Sequence, residues 1–238
     1  MIQVEGIFSG GSSISAPIIG EDFNWTGSDG TYQVLDDGGG NWRIKFLSSG
    51  TFTPLKNMVI DVFLVGGGGG AGSSYCGEGG AGYTTTVRSV VLTANTAYSI
   101  VVGAAGTNGN PSSAGGETTA FTASAAGGKN TSNGTSSSKR PGGAGGSGGA
   151  GYVSPVATTT GGTDGGDGTS SATTGGKGQG TTTREFGEAD GTLYASGGGR
   201  NLTATVPNSG NGGLFSMTHP IHPADGIVVI RQHKEVAA

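Results

Sequence analysis

Apolar and polar positions alternate cleanly only towards the two ends of this chain. Tyr32 and Val34 alternate with polar neighbours, Asp36 to Gly40 supplies turn chemistry, and Trp42, Ile44 and Phe46 then alternate with Arg43 and Lys45. That order predicts a β-hairpin with a glycine-rich loop. Val59 to Val65 reads as a short apolar strand stopping at Gly66. Thr84 to Leu92 and Tyr98 to Val102 read as two strands around Thr93 to Ala97, and Gly226 to Arg231 as a last strand rich in β-branched residues. No stretch carries a 3.6-residue period, so almost no helix is expected. Between Gly103 and Arg184 the only large apolar residues are Phe121, Tyr152, Val153 and Val156. Such a segment cannot build an oily core.

Glycine runs fill the space the side chains leave, among them Gly66 to Gly70, Gly77 to Gly82, Gly142 to Gly151 and Gly210 to Gly213. A flexible linker is one reading of such runs. The other is polyglycine II, in which extended three-residue-per-turn rods bond N–H to C=O between neighbours. It satisfies the backbone groups that burial would otherwise orphan. The expected fold is therefore all-β: a β-sandwich, tumour-necrosis-factor-like in one form, with an inserted polyglycine II bundle. The expected division is an N-terminal β or attachment segment over residues 1–40 and a glycine-rich domain over 41–238, closing on strand 226–231.

Composition sharpens this picture. Of 238 residues 53 are glycine, and Leu, Ile, Val and Phe together number 43. A net charge of only −4 argues against plain disorder. Eight prolines and no strict glycine triplet exclude collagen. The acidic pI, about 5.3, argues against nucleic-acid and anionic-membrane partners. No apolar run reaches the length of a membrane span. Met1 to Gly11 has neither a basic n-region nor a long h-region, so no signal peptide is expected. One cysteine, Cys76, rules out an internal disulfide framework and suits a reducing cytoplasm.

Candidate chemistry is sparse. Gly67, Gly69 and Gly72 match a dinucleotide fingerprint in spacing, but neither the helix nor the acid that its mechanism needs follows. His219 and His222 could offer two metal ligands, with only His233 and Cys76 as distant company. A surface loop is the plainer reading, although three-fold assembly would bring these histidines together. Asp164 and Asp167 resemble one calcium-binding glycine–aspartate repeat where several are needed. Asn24, Asn130, Asn133 and Asn201 lie in N-x-[ST] sequons, expected by coincidence in a Thr-rich chain. No nucleophile, base and orienting group recur at a known spacing, so the expectation is no enzyme, no cofactor and no metal.

Several segments in fixed order carry a resemblance: WRIKFLSSGTFTP, IDVFLVGGGGGAG, YSIVVGAAG, AGGETTAF, YASGGG and DGIVVIR. Over roughly residues 41 to 232 the chain resembles the glycine-rich domain of phage and prophage tail or fibre proteins of Gram-positive hosts. The same order is similar to the glycine-rich region of the anaplastic lymphoma kinase receptor family, whose many cysteines this chain lacks. In its glycine runs it resembles the tip adhesins of long tail fibres. The resemblance implies a virion structural protein, made in the host cytoplasm, that presents loops to a cell-surface glycan or protein and docks on other tail or fibre proteins. Loops 131–141, 152–160, 181–190 and 201–208 are the candidates. Within them and beside them Tyr152, Arg184, Phe186 and Tyr194 are the candidate receptor contacts, because aromatics stack on sugars and Arg pairs with anionic groups. Lids over rod ends are the bland alternative for each. The apolar N-terminal set Ile2, Val4, Ile7 and Phe8, with Trp25 nearby, suggests sheet pairing or a homotrimer. Two other functions compete. Thr triplets at 84–86, 158–160 and 181–183 suggest an ice-binding polyglycine II protein, and a bacterial surface interaction module is the third reading.

Overall fold

The computed structural model describes residues 16–73, 75–133, 142–151, 183–199, 205–215 and 220–232. Ten strands form two five-stranded antiparallel sheets: β1 (Phe23–Trp25), β2 (Tyr32–Gly38), β3 (Asn41–Phe46), β4 (Gly50–Pro54), β5 (Met58–Val65), β6 (Thr84–Leu92), β7 (Tyr98–Val101), β8 (Thr118–Ala120), β9 (Ala123–Ala125) and β10 (Ile227–Gln232). One sheet runs β1-β4-β7-β8-β9, the other β2-β3-β10-β5-β6. Among the described residues the only helical piece is a 3-10 turn, Glu185–Gly187. The all-β sandwich expected from the sequence is what is found.

The main core lies between the sheets. Phe23, Phe52 and Ile100 of the first sheet meet Ile44, Phe46, Ile60, Val62, Leu64, Val228 and Ile230 of the second. Trp25, expected beside an apolar N-terminal set that pairs in a sheet or meets another chain, is buried here with its ring 4.8 Å from Phe46. The second sheet is apolar on its outer face too. Phe63, Val65, Ile227 and Val229 form a second cluster there with Phe186, Tyr194 and Ala195. A strand buried on both faces reads as a continuous apolar run, which is why Val59 to Val65 shows no alternation.

Two expectations are corrected. The boundary drawn at 40/41 falls inside a hairpin, since β2 pairs with β3 from Tyr32↔Phe46 to Gly38↔Asn41. Described residues before position 41 are thus part of the sandwich. The side-chain desert also contains a hairpin, β8–β9. Its strands are built of Thr, Ala and Ser, and Phe121 at its apex packs on Phe52 and Tyr98.

Glycine rods extend from the sandwich. In the rod 66–72 the N–H of Gly66 donates to Tyr83 and that of Gly69 to Gly80, while Gly67 donates to Gly116 and Gly70 to Ser113, and Gly68 to Ala224. The partner repeats every third residue, as three residues per turn require. The carbonyls follow the same rule: Gly67 and Gly70 accept from Gly128 and Thr131, Gly68 and Ala71 from Gly106 and Gly109, Gly69 from Gly213. Rod 66–72 is therefore ringed by six others, 76–83, 103–109, 113–117, 126–131, 209–215 and 221–226. Rod 76–83 is ringed in turn by 66–72, 126–133, 142–146, 147–151, 195–199 and 209–215. The described bundle is a hexagonal array of ten rods in layers of three, four and three.

Close approach, not unusual backbone angles, makes glycine necessary inside it. A Cβ on Gly67 would sit 2.1 Å from the Ala104 carbonyl oxygen, and one on Gly68 1.9 Å from that of Asn211. Neither residue lies in the left-handed region.

Candidate functional site: the rod tip and the strap across the outer sheet

The rods leave the sandwich and return to it. Rod 66–72 continues β5 and 76–83 leads into β6; 103–109 continues β7 and 113–117 leads into β8; 126–133 continues β9, and 221–226 leads into β10. Ser73 and the turn at 110–112 lie at the far end of the bundle. So do residues 133, 142, 151, 199, 215 and 220, where the described stretches stop. Polar side chains tie this tip. The Asn108 carboxamide accepts from the Ala71 N–H at 2.8 Å and donates to the carbonyls of Leu214 and Ile221, each at 3.0 Å. Thr131 donates to Gly77 O at 2.6 Å and accepts from Gly72 N–H. The Asn133 carbonyl accepts from Ser73 N–H at 2.7 Å, and the buried Glu78 carboxylate from Phe215 N–H at 3.0 Å.

Of the four residues singled out from the sequence, Tyr152 lies outside the described residues. The structure brings the other three together, in a strap over residues 183–194 that crosses the outer face of the second sheet. Arg184 is half-buried, bridged to Leu193 through its backbone, and donates to Gly191 O. Phe186 is 1% exposed, with its ring 6.1 Å from Phe63 and the Arg231 guanidinium 4.2 Å above it. Tyr194 is buried, 5.5 Å from Phe63. The two aromatics are thus corrected from surface contacts to cover for an apolar sheet face that would otherwise meet water. Most of loop 131–141, all of 152–160, residues 181–182 of 181–190, part of 201–208, and His219, Asp164 and Asp167 fall outside the described residues in the same way as Tyr152. Cys76 is buried, and His222 is exposed.

The side chains that sequence reasoning missed form the charge lattice holding the strap. Arg43 grips Asp37 with two bonds of 2.7 Å and also reaches Glu185. Asp37 first, then Glu185, holds the Arg43 guanidinium well above the ordinary arginine range. Lys45 pairs with the other Glu185 oxygen at 3.3 Å. Tyr194 donates to that oxygen at 3.1 Å; burial, and then the Glu185 charge, push the phenol above the ordinary tyrosine range. Arg231 spans Asp61 at 3.1 Å and Glu188 at 2.6 Å, and Arg88 ties Asp61 to the Phe186 carbonyl. The available signal was Arg43 and Lys45 alternating with apolar residues, which places both on the outer face of β3. Their shared acidic partner, Glu185, lies some 140 positions away.

Beside the strap lies a cavity of about 320 Å³, lined by Asp37, Asn41, Arg43, Glu188, Asp190 and Arg231 among others. A second, of about 280 Å³, is lined by Gln33, Lys45, Leu193, Val206 and Asn208 among others. Among the described residues no set of three His, Cys, Asp or Glu side chains is placed to hold a metal ion. Chemically the strap and its cavities offer fixed hydrogen-bond donors and acceptors.

Residues 47–231 match the family model of a glycine-rich domain. No curated protein matches the chain.

Proposed function

The chain belongs to the glycine-rich domain family, and we propose that it serves as a receptor-binding structural module of a phage or prophage tail fibre. The sandwich is its base and the rod tip its recognising end. One observation carries this reading: the rods are held in register by backbone hydrogen bonds, and the turn at 110–112 lies with the side chains of Asn108, Thr131 and Asn133 at the end farthest from the sandwich. Because the rods are bonded through main-chain groups, the segments that join them are free to vary in sequence while the lattice stays put. A rigid stem with variable connections at one end suits selection for different surfaces. The partner is a host cell-surface glycan or protein, and the sandwich end docks on other fibre proteins or on two further copies of the chain through residues 1–15.

The test uses labelled full-length protein on a panel of Gram-positive cells. Segments 134–141 and 200–204 are replaced by Gly/Ser of equal length. Binding should fall to background while the melting temperature holds. Undiminished binding by both replacements would remove the tip from recognition. Light scattering at micromolar concentration addresses assembly, and a clean 23 kDa species would rule out an intrinsic trimer.

A further inference from the structure

We propose that the outer face of the sandwich carries a second site, distinct from the rod tip: a groove for a short, neutral oligosaccharide. The two cavities beside the strap both include Thr192 in their walls. Arg43 lines the first and Lys45, two residues along the same face of β3, lines the second. Two residues of strand span roughly 7 Å, so the two cavities that meet at Thr192 suit two or three linked sugar rings.

The first cavity offers paired donors and acceptors. Each guanidinium has five N–H groups. Arg43 commits three of them to Asp37 and Glu185, and Arg231 three to Asp61 and Glu188. Two remain on each. The Asp190 carboxylate is exposed, and neither it nor the Thr192 hydroxyl has a partner among the described residues. Spare N–H donors next to a spare carboxylate match vicinal hydroxyls, each of which donates once and accepts twice.

Charge narrows the ligand further. Asp37, Glu185, Glu188 and Asp190 outnumber Arg43 and Arg231 in the wall, so an anionic sugar is disfavoured. The second cavity is amphipathic. Leu193 and Val206, 44% and 53% exposed, stand over Leu47 and Ile227, with Gln33 and Lys45 also in its wall. That combination fits a sugar ring, which has an apolar C–H face and a polar rim. The ion-pair lattice fixes the walls before any ligand arrives, which lowers the ordering cost of binding.

Saturation-transfer NMR and calorimetry on the full chain test the proposal. The probes are maltotriose, cellotriose and chitotriose, with trigalacturonic acid and a Gly/Ser/Thr tetrapeptide as controls. At least one neutral trisaccharide should bind. Affinity should drop about tenfold or more in Asp190→Ala and in Thr192→Val, since each removes a hydrogen bond made to the ligand. Both side chains lie outside the lattice, so the melting temperature should not move. Replacing segments 134–141 and 200–204 should leave this binding unchanged, which separates its failure from failure of the tip reading. The proposal is overturned if no neutral trisaccharide binds, if affinity survives both substitutions, or if only the anionic sugar or the peptide binds.

Discussion

Asp61 and Arg231 sit directly opposite each other on β5 and β10, and Nε and Nη2 of the Arg231 guanidinium both donate to one oxygen of a carboxylate that is wholly buried. The other oxygen accepts from the Ser89 N–H at 3.1 Å, at the register shift where β6 bulges past Asp61 and Ser89 takes φ 56°. One carboxylate thus fixes the bulge, orients Arg88 and holds Arg231 over Phe186. Removing one partner of a buried pair leaves an uncompensated charge, at a cost of about 3–5 kcal/mol. Asp61→Ala should lose stability on that scale in chemical denaturation. The double variant Asp61→Leu/Arg231→Met should recover much of it, because an apolar pair can replace a buried ion pair of similar volume. If Asp61→Ala proves as stable as the wild type, the pair does not hold the strap.

Glycine in the central rod is a packing requirement. Gly67→Val and Gly68→Val would each drive a Cβ into a neighbouring carbonyl group, with no flexible side chain able to yield. Overpacking commonly costs about 1–3 kcal/mol, and separating rods would also break hydrogen bonds to more than one neighbour. Both variants should melt far below the wild type or fail to fold. Ala104→Ser, on an exposed rod position, should be close to neutral. Equal melting temperatures for all three would contradict the hexagonal packing.

The parts legible in the sequence are those written in side-chain pattern. The β-branched run at 226–231, the alternation through Trp42, Ile44 and Phe46, and the glycine runs each correspond to an element that exists. Strands β8 and β9 were not legible, because three residues are too few to show an alternation and Ala carries little β signal. Phe186 and Tyr194 read as surface residues because they sit among Gly, Glu and Asp. Only the second sheet, brought alongside by long-range pairing, supplies the apolar face that buries them. The strap's ion pairs were hidden for the same reason: Arg43 and Glu185 meet across the fold, and no local spacing encodes that contact.

Alkaline pH should loosen the strap at Tyr194. Its pKa is raised in the folded state, so the neutral phenol is the form that the fold stabilises. The contribution is complete below the ordinary tyrosine value of 10.0 and is lost as pH rises above it, because the unfolded chain ionises first. Stability measured by denaturation between pH 9 and 11 should decline in the wild type, and Tyr194→Phe should show a shallower decline. At pH 7 the same variant should lose about 1 kcal/mol, the usual worth of one hydrogen bond. Parallel pH profiles for the two proteins would exclude Tyr194 as the source of the slope.

The tip of the bundle depends on one carboxamide. Asn108 joins rods 66–72, 209–215 and 221–226 through the Ala71 N–H and the Leu214 and Ile221 carbonyls. Asn108→Ala orphans the Ala71 N–H, which costs about 1–3 kcal/mol when buried, and leaves the Leu214 and Ile221 carbonyls only the bond that each accepts from the other's N–H. Asn108→Asp is the more informative change. It keeps an acceptor for Ala71 but turns an oxygen, in place of the NH₂ donor, towards two carbonyl oxygens. Both variants should lower the melting temperature, and the aspartate should be rescued in part at acid pH, where its protonated form regains a donor. Hydrogen exchange should quicken first at Ala71 and Ile221, with Ile44 and Val228 in the sandwich core still protected. Uniform loss of protection across rods and sandwich would instead mean that the two unfold as one unit and that Asn108 has no local role at the tip.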